Sequence, residues 1–157
     1  MTLKTTNGKD FIVDDEDASR VLLFKWSYVR NRHYFRIMGT VNGKCVPLAR
    51  FILNATAGTI VDHISQDTLD NRKENLRFCS VGENLMNKSA YRKNKFGGLK
   101  GIELHGNKYR ARLWAKGKRF QSIGFSTAKE AAEEYNKLAL LHHGIFASLN
   151  KIQILQG

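Results

Sequence analysis

Residues 61–89 read "VDHISQDTLDNRKENLRFCSVGENLMNKS" and set an Asp-His pair ahead of a polar loop, a short apolar run and an Asn-rich run. The pattern predicts a strand over "TIVDHI", a loop over "SQDTLDNRKEN", a second strand over "LRFCS" and a short helix over "VGENLMNKS". A unit of about thirty residues buries little apolar surface by itself. We therefore expect it to pack on the residues before it or to be pinned by a bound ion.

The polar side chains of this stretch fit phosphodiester hydrolysis, which needs a water nucleophile, a base and positive charge near the phosphate. Asp62 and His63 are neighbours on a strand, so one is able to serve a metal ion while the other addresses the water. Asn84, on the predicted helix, offers a second oxygen ligand, and Asn75 is placed to tie the loop backbone together. The competing interpretation is ordinary turn and cap chemistry.

The whole stretch closely resembles the ββα-metal core of HNH endonucleases, in particular the small phage and intron-encoded homing type. The resemblance lies in the D-H pair, the "LDNRxxNLR" block and the "ENxxN" helix. It implies that His63 is the general base that activates water and that Asn75 is the middle, loop-orienting residue of the catalytic motif. It also implies that Asp62 and Asn84 are the protein ligands of one Mg²⁺ or Mn²⁺ ion.

The same resemblance makes Arg72 and Arg77 candidate phosphate contacts, against the alternative of solvated surface arginines. Relatives often carry a His in an "HR" pair in the short helix before the motif, whereas this chain has Ala49 and Arg50. Activity is expected to be reduced if that His assists metal or phosphate binding. Turn chemistry is assigned to the remaining polar residues of the loop, which are Asp67, Asp70 and Asn71.

Charge is concentrated in the C-terminal part of the chain. The net charge is +12, with 12 Lys+Arg against 10 Asp+Glu in residues 1–87 and 14 against 4 in residues 88–157. A concentrated basic field attracts polyanions, so nucleic acid is the leading partner and an anionic membrane the second.

The two cysteines, Cys45 and Cys79, form no CxxC pair, which argues against a disulfide framework and against a zinc site. No run approaches 18 apolar residues, and the N-terminus has no apolar signal segment. These features predict a soluble intracellular protein without a membrane partner. The resemblance to phage endonucleases implies the cytoplasm of a bacterial or phage-infected cell, and we expect the protein to be a monomer.

Beyond the basic residues 88–98, three strands are predicted over "LKGIELH", "KYRARLWAK" and "KRFQSIGF", with turns at "GN" and "GK". A helix follows over "STAKEAAEEYNKLALLHHG", with Ser126 or Thr127 as N-cap. One face of the middle strand is a cationic row with one aromatic residue, suited to the major groove of DNA, and consists of Lys108, Arg110, Arg112, Trp114 and Lys116. Strand three is expected to add Lys118, Phe120 and Ser122 to this face, and Lys100 is a further candidate DNA contact.

Residues 97–150 resemble the DNA-binding domain of plant ethylene-response factors, a three-stranded sheet backed by one helix. The matching motifs are "KGI", "YRARLW", "IGFSTAKEAAEEYN" and "HGIFASLN". The resemblance implies duplex DNA binding. It assigns fold-holding positions to Tyr109, Gly124, Phe125, Ala131, Ala132, Tyr135 and Asn150.

The predicted fold class is α+β. The predicted divisions are an N-terminal β-rich extension (1–60), the ββα-metal core (61–89), a basic linker (90–98), the sheet-and-helix domain (99–150) and a tail (151–157). The expected function is a metal-dependent DNA endonuclease that leaves 5′-phosphate and 3′-hydroxyl ends. The alternatives are a non-catalytic DNA-binding regulator and, less favoured, an RNA-binding protein that uses the basic sheet.

Overall fold

The computed structural model describes residues 1–31, 34–88 and 95–152. It confirms the α+β class. The chain forms two compact units, residues 1–84 and 85–157, each of which is described by itself. Most of the predicted linker (residues 90–94) and most of the predicted tail (residues 153–157) lie outside the described residues, as does Ser89 at the end of the predicted core.

The first unit contains two small sheets, a β-hairpin and short helices. Its elements in chain order are β1 (Thr2–Lys4), β2 (Asp10–Ile12), α1 (Asp15–Val21), β3 (Trp26–Asn31), β4 (Tyr34–Val41), β5 (Lys44–Pro47), α2 (Leu48–Ile52), β6 (Ile60–His63), a 3-10 turn (Lys73–Asn75), β7 (Leu76–Cys79) and α3 (Val81–Met86). Strands β1 and β2 pair with each other, β3, β4 and β5 form a three-stranded sheet in that order, and β6 pairs with β7. All of these pairs are antiparallel. The strand-loop-strand-helix order predicted for the opening stretch is therefore confirmed.

Local chemistry explains two of these elements. Helix α1 begins with three acids, Asp15, Glu16 and Asp17, which favour the positive end of a helix. Between β4 and β5, Asn42 and Gly43 have φ values of 49° and 75°. This is the tight turn that the Asn-Gly pair predicts, because both positions need positive φ.

The core of the first unit joins the N-terminal residues to the predicted ββα motif. Phe11, Val13 and Trp26 are buried in the same cluster as Leu76 of β7. The indole Nε1 of Trp26 donates to the carbonyl of Val21 at 2.8 Å, so the largest core side chain has its polar atom satisfied. The expectation that the small motif packs on the residues before it is confirmed.

The second unit is a three-stranded antiparallel sheet covered on one face by a helix, as predicted. Its elements are β8 (Ile102–His105), β9 (Lys108–Ala115), β10 (Lys118–Gln121), α4 (Ala128–His143) and a 3-10 turn (Gly144–Phe146). Strand β9 lies in the middle. Its buried side chains Ala111, Leu113 and Ala115 pack with Tyr135 and Ala139 of α4.

Helix α4 begins and ends as the sequence predicts. Thr127 and Glu130 form a reciprocal capping box at its start, and the helix ends at Gly144. At the other end of the fold, the side-chain amide of Asn150 accepts from the Lys100 N–H at 2.6 Å and donates to the Lys100 carbonyl at 3.0 Å. Asn150 is thus a fold-holding residue in this structure.

The predicted orientation of strand β10 is wrong. Phe120 lies opposite Leu113 and Lys118 opposite Ala115, so both are on the helix-facing side of the sheet. The Phe120 ring stacks on His142 of α4 with ring centroids 3.7 Å apart. The physical reason is the length of the turn, which consists of two residues, Lys116 and Gly117 (φ 50° and 73°). Across a two-residue turn the even-numbered residues of β9 lie opposite odd-numbered residues of β10, so the even-numbered residues of β10 fall on the other face.

Ser122, which was also predicted for the outer face, lies on the helix-facing side of the sheet as well. Its hydroxyl accepts from the N–H of Ala111, which lies on the buried side of β9. Arg119 and Gln121 are opposite Trp114 and Arg112, so they take the places on the outer face that were predicted for Lys118 and Phe120.

Both cysteines carry free thiols. Of the helices within the described ranges, none combines the length and apolar character needed to cross a bilayer.

Gly101 provides a sharp test of the packing between sheet and helix. A Cβ at Gly101 would lie 2.0 Å from the Tyr135 ring, and its φ is +70°. We expect Gly101→Ala to lower the free energy of unfolding of the second unit by about 3 kcal/mol, because the buried ring has nowhere to move. Urea unfolding followed by hydrogen exchange of the β9 amides measures this.

The matched control is Gly106→Ala. Gly106 has φ +58°, but a Cβ there meets nothing within 4 Å. We expect it to cost about 1 kcal/mol, for the backbone conformation alone. Equal costs for the two variants would contradict the packing explanation.

Candidate active site

The hairpin of β6 and β7 places Asp62 and His63 on opposite faces. Asp62 lies opposite Arg77 and His63 opposite Leu76, and β6 ends at His63. Neighbouring residues of a strand point to opposite sides of the sheet. The Asp-His pair therefore presents a carboxylate to one side and an imidazole to the other.

Asp62 forms a cross-strand ion pair with Arg77. The Nε and Nη2 atoms of Arg77 donate to Oδ2 of Asp62 at 3.1 and 2.8 Å. The two side chains are only 11% and 10% exposed, so the pair is shielded from solvent. Arg77, predicted as a phosphate contact, here serves to hold the predicted metal ligand, and its contact with DNA stays a prediction.

His63 is half-buried and faces Asn71. Its Nε2 lies 3.2 Å from Oδ1 of Asn71. Burial lowers the pKa of His63 below its ordinary value, and the hydrogen bond to Asn71 and the negative charges of Asp62, Asp67 and Asp70 oppose that shift only in part. The imidazole is thus predominantly neutral at pH 7 and able to accept a proton.

Asn75 closes the loop between the two strands. It is 7% exposed, its Oδ1 accepts from the Ser65 N–H at 2.9 Å, and its Nδ2 donates to the Asp70 carbonyl at 2.7 Å. Its backbone carbonyl accepts from the N–H of Ile64 at 2.8 Å. These contacts are those of a loop-orienting residue, which is the role that the sequence predicts.

The turn chemistry predicted for Asp67 and Asp70 is confirmed. Asp67 Oδ1 accepts from the Leu69 N–H at 3.0 Å, and Asp70 Oδ1 accepts from the Arg72 N–H at 3.2 Å. Arg72 also donates from its side chain to both oxygens of Asp70. It forms a further ion pair with Glu74 at 2.5 Å. The hydrogen bond with Asp70 is the main cause that raises the pKa of Arg72. Its role as a phosphate contact stays a prediction.

Helix α3 carries Asn84, the second predicted metal ligand. Ser80 and Glu83 form a reciprocal cap at the start of this helix, with the Ser80 N–H donating to Glu83 at 2.7 Å and the Glu83 N–H donating to Ser80 at 3.2 Å. Asn84 is half-exposed one position later. Among the described residues, no three His, Cys, Asp or Glu side chains gather as a metal-binding group. The assignment of Asp62 and Asn84 as metal ligands stays a prediction.

The helix before the motif has a structural role. Ala49 is buried in the core of the first unit at 7% exposure. Arg50 donates to the carbonyls of Thr56 at 2.8 Å and of Ala55 at 3.3 Å, and also to that of Thr59. Arg50 thereby holds the turn that leads into β6.

The outer face of the second unit is a cationic surface, which we call the basic face. By the strand register, it consists of Glu103, His105, Lys108, Arg110, Arg112, Trp114, Arg119 and Gln121. Trp114 is 62% exposed on it. The predicted alternation on β9 is confirmed, because the intervening residues Ala111, Leu113 and Ala115 are buried.

Glu103, the one acid between Lys88 and Arg119, lies within the basic face. One carboxylate oxygen binds Arg112 at 2.6 Å and the other binds Arg119 at 2.9 Å. The carboxylate is 22% exposed, and each arginine is more than 40% exposed. Two of the cations are therefore partly neutralised within the unit.

The remaining predicted DNA contacts have different surroundings. Lys116 is exposed in the turn between β9 and β10, and Lys118 is exposed at the start of β10. Lys100 is half-buried, and its Nζ donates to the carbonyls of Met86 and Lys88 at 2.6 and 2.5 Å. Burial lowers the pKa of Lys100 to about 8. The DNA contacts of these lysines stay predictions.

A comparison with known proteins bears on this site. The chain is 37% identical over 92 residues to a curated protein of Acanthamoeba polyphaga mimivirus. That relative is named an uncharacterized HNH endonuclease. The similar region covers 59% of this chain and 47% of the relative, so the chain spans less than half of the relative's length.

The similarity supports a place for the chain among HNH nucleases. No family model matches the sequence. No solved structure matches it either. The likeness of residues 97–150 to plant ethylene-response factors stays a prediction.

Three residues that contribute to the candidate active site or to the basic face were not predicted to do so. Asn71 was assigned to turn chemistry alone, but it is 1% exposed and contacts His63. Neither Glu103 nor Arg119 was predicted to lie on the basic face. The signal for Arg119 was the Lys116-Gly117 pair, which fixes the register, whereas no local pattern distinguishes Asn71 from its neighbours.

The surroundings of Lys100 predict a pH dependence of stability. Its folded pKa of about 8 lies below that of an unfolded lysine. Above that pH the unfolded chain binds more protons than the folded chain, so the free energy of unfolding rises with pH. We expect a gain on the order of 1 kcal/mol between about pH 7.5 and 9.5, after allowance for partial solvent exposure. Urea unfolding at each pH measures it.

Lys100→Met is expected to remove this rise, and Lys118→Met, an exposed control, is expected to keep it. A wild-type stability that stays flat or falls over the same range would contradict the desolvation of Lys100.

Proposed function

We propose that this protein is a metal-dependent DNA endonuclease of the HNH homing type. The observation that carries the proposal is the pair at the end of β6, where a half-buried neutral imidazole and a shielded carboxylate leave the strand on opposite faces. The similarity to a protein named HNH endonuclease adds support. In this proposal the protein acts as a monomer on duplex DNA.

His63 is the general base. Its lowered pKa leaves the ring neutral at pH 7, so it is able to take a proton from a water molecule. The resulting hydroxide attacks the phosphorus, and the bond to the 3′ oxygen breaks. The products carry 5′-phosphate and 3′-hydroxyl ends. Asn75 supports this step by holding the loop that follows His63.

Asp62 and Asn84 would hold one Mg²⁺ or Mn²⁺ ion. A carboxylate and an amide oxygen are the hard donors that such ions accept, with water completing the coordination. When bound, the ion supplies positive charge near the scissile phosphate. The Asp62 carboxylate is already bonded to Arg77 through Oδ2, so the guanidinium orients that carboxylate, and a bound ion would share the carboxylate's negative charge with Arg77.

The basic face of the second unit would hold the DNA. Lys108, Arg110, Arg112 and Arg119 lie on one side of the sheet around the exposed ring of Trp114. Phosphate contacts from such cations position a protein on duplex DNA, and arginines read base edges in the major groove. Lys100, Lys116 and Lys118 would add further contacts with the DNA.

A second candidate function is a DNA-binding regulator that keeps the fold without cleavage. The Asp62–Arg77 ion pair favours it, because the protein supplies its own cation to the predicted metal ligand. The two candidates differ in one measurable outcome, which is whether DNA is cut.

The deciding experiment incubates supercoiled plasmid with the full-length protein in Mg²⁺, in Mn²⁺ or in EDTA. We expect nicked or linear product with a metal and none with EDTA. His63→Ala is expected to bind DNA with unchanged affinity and to cleave at least about a hundredfold more slowly, because the base is lost. DNA binding without cleavage under every divalent ion would reject the nuclease proposal and leave the regulator.

The two ion pairs of Glu103 allow a prediction of how a change of charge on the basic face alters DNA binding. Glu103→Gln removes the carboxylate that binds Arg112 and Arg119, so both guanidinium groups become available to phosphates. We expect duplex DNA to bind about tenfold more tightly at low salt, with a slope of log affinity against log salt that is steeper by about one. Dissociation constants at a series of salt concentrations measure both.

Glu133→Gln makes the same change of net charge on an exposed position of α4, which covers the other face of the sheet. It is expected to leave the slope almost unchanged. Equal effects of the two substitutions would mean that net charge, and not the basic face, governs binding.

A further inference from the structure

The side-chain amide of Asn71 has only one orientation that satisfies its contacts. Its Nδ2 lies 3.1 Å from the carbonyl oxygen of Thr68, and its Oδ1 lies 3.2 Å from Nε2 of His63. A carbonyl oxygen only accepts hydrogen bonds, so the atom facing Thr68 must be the NH₂ group. The atom facing His63 is therefore the amide oxygen.

This orientation decides where the imidazole proton lies. An amide oxygen only accepts, so Nε2 of His63 must carry the hydrogen and donate it. A neutral imidazole has one protonated nitrogen and one with a lone pair. With the proton on Nε2, the lone pair is on Nδ1.

Asn71 is itself held rigidly. It is 1% exposed, and its backbone N–H donates to the carbonyl of Ile12 in β2 at 2.8 Å. The N–H of Ile12 in turn donates to the carbonyl of Leu69 at 2.8 Å. These two hydrogen bonds fix the loop to a strand more than fifty residues earlier in the chain. The Asn71 side chain therefore has little freedom to turn away from His63.

We propose that Asn71 is a positioning residue that fixes His63 as its Nε2–H tautomer, so that Nδ1 is the atom that takes the proton from water. The tautomer is inferred from the two contacts of the Asn71 amide, whereas the proton transfer rests on the proposed nuclease function. As the water oxygen bonds to phosphorus and the bond to the 3′ oxygen breaks, the water proton moves to Nδ1. The departing 3′ oxygen takes its proton from solvent. Oδ1 of Asn71 keeps its hydrogen bond to the imidazolium that forms.

The test reads the tautomer directly. In full-length, metal-free protein at a pH where the ring is neutral, the ¹⁵N shifts of His63 distinguish a protonated Nε2 from a protonated Nδ1. We expect Nε2–H in the wild type and a mixture of tautomers in Asn71→Ala. Asn71→Asp keeps an oxygen acceptor and is expected to restore Nε2–H, and Ser65→Ala, in the same loop, is the control that leaves the tautomer unchanged.

Plasmid cleavage supplies the second readout. Asn71→Ala is expected to lower the cleavage rate on the order of a hundredfold with DNA affinity unchanged, because the lone pair is misplaced. Asn71→Asp is expected to recover part of that loss. A wild-type ring that is mixed or protonated on Nδ1 overturns the inference, even if Asn71→Ala does not fold.

The two readouts separate this inference from the proposed function. If the wild type cleaves DNA while its His63 is not the Nε2–H tautomer, the positioning role fails and the nuclease stands. If the tautomer is as expected and no divalent ion supports cleavage, the role of Asn71 in orienting the ring stands and the nuclease fails.

Discussion

The buried amide of Asn75 is the contact on which the candidate site depends. Its two side-chain atoms and its backbone carbonyl bond the loop at both ends, at Ser65, Asp70 and Ile64. A polar loop of this length has no core of its own, and an amide hydrogen-bonded inside it replaces apolar burial as the source of a fixed shape. Together with the backbone bonds between the loop and Ile12, this amide fixes the place of Asn71.

In each unit an acidic side chain forms an ion pair with arginine, a contact that the sequence alone does not show. In the first unit Arg77 is shielded and bonded to Asp62, so the carboxylate has a defined orientation. In the second unit Glu103 joins Arg112 to Arg119 on an exposed surface, where the energy of such a bridge is small and its effect on geometry is larger. Arginine suits both roles because its planar fork binds carboxylates in a fixed direction.

Most turns, strands and helices were predictable from the sequence, whereas strand register and long-range contacts were less so. The Asn42-Gly43 turn, the capped helix that begins after Thr127 and the alternation of β9 follow from local backbone chemistry, which a sequence records directly. The outer face of β10 was predicted wrongly, because the number of residues in the turn decides which side chains of the two strands share a face, and this turn has two residues, Lys116 and Gly117. The contact of Asn71 with His63 was not predictable from spacing, since it depends on how the loop folds back on strand β2.

The bond from Asn71 to Ile12 bears on how much of the chain is needed to form the site. In sequence, the roughly thirty residues that carry the Asp-His pair look like a self-contained segment. In this fold the segment is not self-sufficient, because the backbone of its loop is hydrogen-bonded to β2 and its Leu76 shares a core with Phe11 and Val13. The smallest segment that keeps these supporting contacts therefore begins near the N-terminus, and a substitution near residue 12 is able to disturb a site about fifty residues later in the sequence.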